Sequence, residues 1–485
     1  MNSMIQRLSV GEKIGYSLGD LAANLVFQTL VTYLAYFYTD IYGLSTSDSS
    51  VIILTVGLVS AFAFNPIIGA LADRTNTRWG KFRPWILWTS IPLGIMSLLA
   101  FSTPDFSYKG KFIYAVVTYT LLLFLYAANN LPYSALSGVI TGDMKERNSM
   151  SSYRFVAVMF AQFFVQVFMY PLILKVGGGD KAAGIESLMT YLAVIGTFML
   201  LITFLTTRER IVPKPEEKST LKQDISDLVS NRPWIIMLSV TTLIFITLAM
   251  KGGSFVYYFE NYVDKNSLED FLQPILNVLS VIGLNFFGED PVSAGFGIFN
   301  AGGVIFMIVG ITLSKRFADR YGKRDVFGVS LFISTIFIAI FFLYDSKSVF
   351  LMFSTQVLHG FFYGITIPLL WAMIADVADY SEWKNDRRAT AIIFSAMMVG
   401  LKGGLSIGSA FVTYVLSIYN YSVIENSNIL SGQVESAVQG IKMLVSIFPS
   451  VPFFISVLLL FFYEINKNIE SKIEKDLKEK REKNV

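Results

Sequence analysis

Polar side chains recur inside the apolar stretches of this chain, at spacings that put them on single helix faces. Asp20, Asn24 and Gln28 are four residues apart, so one helix would carry all three on the same side. Arg154 and Gln162, eight residues apart, repeat the pattern in a later stretch. A carboxylate in such a place can hold a proton, and amides can bind hydroxyl groups. Hydrogen bonding between packed helices is the alternative interpretation, and Arg154 has the further alternative of extending toward water.

A second polar group surrounds a proline within an apolar stretch. Pro132 removes a backbone donor and frees carbonyl groups, while Asn129 and Asn130 add uncharged donors and acceptors next to it. Such groups suit ligands rich in hydroxyls. The ring of Tyr126, one turn earlier, can stack on the face of a sugar, although most aromatic residues of an apolar chain simply pack.

Two lysines and the single histidine stand out in the second half of the chain. Lys402 lies near the middle of an apolar stretch, where it either binds a ligand or pairs with Asp20. Lys251 is nearer the end of its stretch and can instead extend to the surface. His359 shares a helix face with Tyr363 and can relay protons near neutral pH; a neutral, hydrogen-bonded packing role is the alternative.

Composition identifies the environment in which these residues act. Of 485 residues, 53% are hydrophobic and only 15% are charged, against roughly 25% charged in soluble domains. The chain is therefore a membrane protein. A net charge of +3 gives no reason to expect nucleic acid as a partner. The absence of cysteine and the single histidine exclude disulfides, thiolate chemistry and sites with several histidine or cysteine ligands. No catalytic motif is visible, so neither an enzyme nor a cofactor is expected.

The fold class predicted from these stretches is an all-α integral membrane protein. A spanning helix needs about 20 mostly apolar residues. Twelve segments meet that requirement, and they are predicted at 14–42, 50–72, 84–102, 112–140, 153–174, 188–206, 234–259, 294–314, 325–344, 348–378, 390–418 and 440–463.

The distribution of basic residues predicts the orientation of these helices. Thirty of the 39 lysines and arginines fall in the termini and in the loops after even-numbered helices, and six fall in the other loops. Because basic residues concentrate on the cytoplasmic side, both termini are predicted to be cytoplasmic. The segment 271–287 is apolar but short and contains Pro274, so we predict an external, interfacial or re-entrant element within an insertion at 262–293.

The chain is predicted to consist of two related halves, 1–206 and 234–465, joined by a central cytoplasmic loop at 207–233. Ala-Asp-Arg follows the second helix of each half, at Ala72–Arg74 and again at Ala318–Arg320. Two related six-helix halves are the architecture of secondary transporters. The charged cytoplasmic tail, 466–485, is predicted to be a solvated helix or disordered.

Charged residues at the cytoplasmic face are predicted to form a gate. Pairs between the halves would hold the inner side closed and break during turnover, whereas solvated charges of little effect are the alternative. The candidates in the first half are Arg74, Arg78 and Arg83, and those in the second half are Asp376, Asp379 and Glu382.

Motifs in both halves resemble those of the glycoside–pentoside–hexuronide:cation symporters, the branch of the major facilitator superfamily that includes the melibiose permease. The resemblance covers nearly the whole chain and is carried by Gly15–Asn24, Tyr36–Asp40, Asn65–Gly69, Arg78–Trp85, Leu131–Tyr133, Tyr153–Phe155, Ala375–Tyr380 and Lys402–Gly404. It implies sugar or glycoside transport by alternating access. It also implies that Asn24, Asn130 and Arg154 contact sugar and that Lys402 corresponds to a functional lysine.

The sequence departs from this family at the positions that bind sodium and sugar. Ala61 and Asn65 stand where sodium-coupled relatives have two aspartates, and Ala127 replaces a threonine ligand. A hard cation needs several oxygen ligands, preferably carboxylates. Ser134 stands at the family's tryptophan, while Asn24 and Asn130 replace carboxylates. The expected coupling ion is therefore a proton, through Asp20 or His359, rather than sodium.

Together these features predict a monomeric transporter of sugars or glycosides in a plasma or inner membrane, in contact with the lipid bilayer and driven by proton symport. An uncoupled facilitator, or a carrier of another polar or amphipathic solute, is the alternative. A membrane sensor that transports nothing is a more remote one.

Overall fold

In a computed structural model, the described residues are 7–141, 143–211, 231–385, 390–422 and 434–483. These residues form helices, and the only β contact among them is one bridge between Thr77 and Gly80. Most of the predicted central loop and the end of the predicted tail lie outside the described residues. The all-α class predicted from the sequence is confirmed.

Fourteen helices cover the described ranges. In chain order they are α1 Val10–Ile41, α2 Thr46–Arg74, α3 Arg83–Leu99, α4 Tyr108–Ile140, α5 Lys145–Val176, α6 Lys181–Thr206, α7 Arg232–Asn261, α8 Lys265–Val281, α9 Pro291–Tyr321, α10 Lys323–Leu343, α11 Val349–Asn385, α12 Thr390–Ile418, α13 Glu435–Leu460 and α14 Lys467–Lys483.

Eleven of these helices, within the described residues, are long and apolar enough to cross a membrane. The twelfth predicted span is α3, which is 17 residues long and contains Pro92. An apolar helix of 17 residues is about 25 Å long at 1.5 Å per residue, slightly less than the thickness of a typical hydrocarbon core.

The chain divides into two compact units. The first unit comprises the described residues up to 211 together with Leu276–Gly297, and the second comprises the described residues from 231 to Ile275 and from Ile298 onward. The sequence prediction assigned 276–297 to the second half and its external insertion. In the structure, Phe287 instead lies 5.8 Å from Phe168 of α5, ring to ring.

Close packing in the first unit depends on two glycines of α1. A Cβ on Gly15 would lie 2.0 Å from the hydroxyl of Thr206, and one on Gly19 would lie 2.5 Å from the ring of Tyr133. Thr203 of α6 donates a 2.8 Å hydrogen bond to the carbonyl of Gly15. The two glycines therefore let α1 approach α4 and α6 closely, which fixes the direction of the polar residues that follow on α1.

The second unit uses glycines in the same way on two helix pairs. A Cβ on Gly404 of α12 would lie 2.5 Å from the carbonyl of Thr242 on α7. A Cβ on Gly360 of α11 would lie 2.2 Å from the carbonyl of Gly303 on α9. These backbone contacts pair α7 with α12 and α9 with α11, the helices that carry the lysines and the histidine singled out above.

The segments that follow α6 in the first unit and α13 in the second fold back on their own units. In the first unit, Glu209 accepts hydrogen bonds of 2.7–2.9 Å from the backbone N–H groups of Lys81, Phe82 and Arg83. Arg210 donates two hydrogen bonds to Glu12, and these bonds raise the pKa of its guanidinium above the ordinary value. These contacts close the end of the unit that carries the α2–α3 loop.

In the second unit, the tail helix α14 folds back on the unit. The prediction of a solvated tail is therefore wrong for α14. Ile473 and Leu477 are both buried, and Glu470 lies 3.0 Å from Lys323. Asp476 accepts a 2.9 Å hydrogen bond from the indole of Trp383. Ile473 and Leu477 lie four residues apart among alternating lysines and glutamates. They form an apolar stripe by which the helix packs against the rest of the unit.

The segment predicted to be external forms α8 and a short 3-10 turn at Asn285–Gly288, outside the eleven spanning helices. Asp264 begins α8 by accepting a 2.9 Å hydrogen bond from the backbone N–H of Ser267. These hydrogen bonds from Ser267, through its hydroxyl as well as its N–H, lower the pKa of Asp264.

Candidate solute-binding and coupling site

The first unit contains an ion pair whose carboxylate is buried. Asp20 of α1 is only 4% exposed, and its Oδ2 lies 2.6 Å from Nε of Arg154 on α5. Asn24, one turn later on α1, donates to both Oδ1 and the carbonyl of Asp20, at 3.1 and 2.9 Å. Opposite charge and two hydrogen bonds stabilise a carboxylate that would otherwise be costly in this environment.

Two tyrosines join α1 to α4 near this pair. The rings of Tyr16 and Tyr133 stack with centroids 4.6 Å apart and an interplanar angle of 12°. Each hydroxyl donates to the other's backbone carbonyl, Tyr133 to Tyr16 at 2.7 Å and Tyr16 to Tyr133 at 3.2 Å. The helix α4 continues through Pro132, and Tyr133, the next residue, forms the junction with Tyr16 of α1.

The other candidates of the first unit occupy different environments. Asn129 is buried and donates a 2.8 Å hydrogen bond to Thr89 on α3, so it joins two helices. Tyr126 stacks on Phe27 with centroids 6.2 Å apart. Four polar candidates are half-buried, namely Asn24, Gln28, Asn130 and Gln162.

In the second unit, His359 is buried between a serine and a tyrosine. Its Nδ1 lies 2.8 Å from the hydroxyl of Ser334 on α10. Its ring stacks on Tyr363 at 5.9 Å with an interplanar angle of 7°, and Tyr363 stacks in turn on Phe453. This arrangement agrees with the packing interpretation of His359. Among the described residues, Ser334 at Nδ1 is the one hydrogen-bond partner that a proton relay through His359 would have.

The two lysines of the second unit are placed differently. Lys402 on α12 is half-buried, one turn before Ser406, which donates to its carbonyl. Lys251 on α7 is 9% exposed, and its Nζ lies 5.5 Å from the ring of Phe255. The interpretation that Lys251 extends to the surface therefore does not hold.

Ala61 and Asn65 on α2, which stand where sodium-coupled relatives have aspartates, offer few ligands for a cation. Ala61 is buried in a π-helical turn at Ser60–Phe64, and the Asn65 amide donates to the Ala61 carbonyl at 3.4 Å. π-Helical turns occur often at functional sites. Here the turn ends directly before Asn65 and Pro66, the two residues of the Asn-Pro motif.

Two of the predicted gate residues, Arg83 and Asp376, have partners inside their own units. Arg83 donates to the carbonyls of Trp79 and Phe204, at 3.2 and 2.6 Å. Asp376 lies 2.6 Å from Nζ of Lys323. Arg74 and Arg78 are exposed, and Asp379 and Glu382 are half-buried.

The structure thus brings together Asp20, Asn24 and Arg154, which the sequence had placed on two separate helices. The sequence interpretation missed the Tyr16–Tyr133 junction and the fold-back of Glu209 and Arg210. The two glycines four residues apart in Gly15–Gly19 were a signal for close helix packing at this point.

Comparison with known proteins decides the family. The model of the MFS/sugar transport protein family matches residues 15–289 and 278–467. The chain belongs to this family. The predicted resemblance to the glycoside–pentoside–hexuronide symporters is confirmed, and the protein is a membrane transporter rather than an enzyme.

Individual relatives extend over almost the full length. The chain is 33% identical over 453 residues to the inner membrane symporter YicJ of Escherichia coli (strain K12), covering 93% of this chain and 91% of the relative. It is 29% identical to the isoprimeverose transporter of Lactiplantibacillus pentosus, with 97% and 91% covered. A crystal structure of the nucleoside transporter NupG has a TM-score of 0.57 at 13% identity, covering 93% of this chain and 98% of that one, and supports the fold alone.

Proposed function

We propose that this protein accumulates a sugar or glycoside by alternating access, coupled to the entry of a proton. Membership of the sugar transport family and the names of its relatives, a symporter and an isoprimeverose transporter, support this proposal. In the proposal the protein is a monomer in a plasma or inner membrane, with both termini in the cytoplasm.

The ion pair of Asp20 and Arg154 is the observation that carries the coupling mechanism. An ionised Asp20 holds Nε of Arg154 at 2.6 Å, so this donor of the guanidinium is occupied. A proton on Asp20 would neutralise the carboxylate and leave the donors of Arg154 available for sugar hydroxyls. Proton binding and sugar binding would then favour each other.

Other side chains complete the proposed binding site, as donors and acceptors for hydroxyls or as aromatic surfaces for sugar rings. The proposed set is Asp20, Asn24, Gln28, Tyr126, Asn129, Asn130, Arg154, Gln162, Tyr363 and Lys402. His359 is the second candidate for carrying the coupled proton.

A proton is favoured over sodium because of the residues on α2. Ala61 offers no oxygen in its side chain, and the Asn65 amide nitrogen donates to a backbone carbonyl. Sodium coordination needs several oxygen ligands. One amide oxygen in this region does not supply them.

We also propose that the charges near the α2–α3 loop and the end of α11 act as a gate. Arg78 is exposed, and Asp376 has Lys323 as a partner in its own unit. A double charge reversal of Asp376 and Arg78 should recover part of the transport that either reversal alone removes. An additive loss in the double variant would count against this gate.

The proposed function is tested by sugar uptake into proteoliposomes, with proton and sodium gradients imposed separately. We expect a proton gradient alone to drive accumulation of a glycoside above its external concentration. Uptake that only equilibrates would support the uncoupled facilitator. Accumulation driven by sodium alone would contradict the proposal and place ion ligands elsewhere than Ala61 and Asn65.

A further inference from the structure

The interior of the second unit contains a buried cation without a buried anion. Lys251 is 9% exposed, and within the described part of the chain its Nζ forms no ion pair and no hydrogen bond. Among the buried residues described in this unit there is no aspartate or glutamate. An uncompensated charge at such a position is costly, so it points to a functional role.

Lys251 also lies well within α7 and not at its end. It lies ten residues before Asn261, where α7 ends, which at 1.5 Å per residue is about 15 Å. A lysine side chain is much shorter than that distance. Its burial beside Phe255 shows that it lies within the unit and not along its surface.

The groups around Lys251 do not balance its charge. The ammonium lies over the ring of Phe255, a weak partner compared with a carboxylate. His359 is close enough to interact with it electrostatically, and both groups can only add positive charge. Gln356, one turn before His359 on α11, is buried, and its Oε1 has no hydrogen-bond partner in the described part of the structure.

We propose that Lys251 binds a negatively charged group of the transported solute, so that the preferred substrate is a sugar acid or another anionic glycoside and not a neutral one. This inference rests on the proposed transport function. The ammonium would pair with a carboxylate of the solute, and Oε1 of Gln356 would accept a hydrogen bond from a neighbouring hydroxyl.

The buried carboxylate of the first unit offers a contrast to Lys251. This carboxylate, Asp20, already has Arg154 as a partner at 2.6 Å. The charge of Asp20 is therefore balanced within its own unit, whereas that of Lys251 is not.

The test is counterflow exchange in proteoliposomes, which requires no ion gradient. Methyl glucoside, methyl glucuronide and the neutral methyl ester of that glucuronide compete for one preloaded glycoside. The wild type should favour the glucuronide over its ester by about tenfold or more, the value of one charge-assisted pair. Lys251→Met should abolish that preference while keeping exchange of the neutral sugars, and Lys251→Arg should retain it. Lys109→Met, a change at an exposed lysine, is the matched control.

The outcomes separate this inference from the proposed function. Exchange of neutral glycosides with no preference for the glucuronide in the wild type would overturn the role of Lys251 and leave sugar transport standing. An equal loss of all three sugars in a well-folded Lys251→Met protein would also overturn it. No exchange of any sugar by the wild type would overturn both.

Discussion

Asp20 in the first unit and Lys251 in the second are buried to a similar degree, 4% and 9% exposed, but only one of them is neutralised. Asp20 has a guanidinium at 2.6 Å and the amide of Asn24 at 3.1 Å. Lys251 has an aromatic ring at 5.5 Å. A charge that is paired within the protein can be switched by a proton, whereas an unpaired charge is suited to an ionic ligand. We therefore propose that Asp20 of the first unit serves coupling and that Lys251 of the second unit binds an anionic group of the solute.

The units also differ in how the segment after their last spanning helix, α6 or α13, binds the end of another helix of the same unit. In the first unit, the carboxylate of Glu209 accepts three backbone N–H groups at the start of α3. In the second, the ammonium of Lys467 donates to the carbonyls of Asp319 and Arg320 at the end of α9. Each charge has the sign that its helix end favours, since helix N-termini attract anions and C-termini attract cations.

The largest effect is expected from Asp20→Asn, which removes the switchable charge from the first unit. With one proton per solute, a gradient of about one pH unit supports roughly tenfold accumulation. Asp20→Asn should lower accumulation to equilibration while counterflow exchange continues, as measured by labelled sugar in proteoliposomes. Asp105→Asn, at an exposed loop position, is the control. Unchanged accumulation would remove Asp20 from the coupling mechanism.

The next effect concerns the second unit. Lys402→Ala should raise the half-saturating sugar concentration by roughly tenfold, the cost of a lost charged hydrogen bond, without loss of protein from the membrane. The measurement is initial uptake rate against sugar concentration, with protein amount determined by immunoblot. Normal uptake would assign Lys402 to packing and leave recognition in this unit to Lys251.

A smaller effect is expected from the two fold-back contacts. Glu209→Gln weakens three hydrogen bonds to a charged acceptor and should cost about 2 kcal/mol of stability. Lys467→Met affects an exposed contact and should cost less than about 1 kcal/mol. Thermal unfolding in detergent, followed by circular dichroism, gives the order of the two variants. A larger effect for Lys467→Met would reverse the comparison between the units.

The smallest effect on stability is expected from two residues that cap helix starts. These are Asp180 before α6 and Asp264 before α8. Because the pKa of Asp264 is lowered in the folded protein, its contribution is present above the unfolded pKa of about 3.9 and is lost as pH falls below it. Amide hydrogen exchange in α8 should therefore increase only below that pH, after correction for intrinsic rates. Asp264→Asn should remove this acid dependence.

Much of the fold followed from the sequence, because apolar length and the basic residues of loops are local properties. The π-helical turn at Ser60–Phe64 and the docking of α14 did not. The apolar stripe of Ile473 and Leu477 is short and hidden among charges, and its burial depends on distant contacts such as Trp383 with Asp476.

The site was predicted in part. Spacing indicated Asp20 and Arg154 as candidates, but their pairing depends on how α1 packs against α5. The burial of Lys251 could not be inferred from its position along α7, because position along a helix does not reveal which face the unit covers.

The most direct test of the account is the movement of protons when sugar is added. Cells or proteoliposomes in weakly buffered, sodium-free medium are given a glycoside, and external pH is recorded. We predict immediate alkalinisation in the wild type and none in Asp20→Asn. Sugar entry in the wild type without alkalinisation, or only when sodium is present, would contradict proton coupling through Asp20.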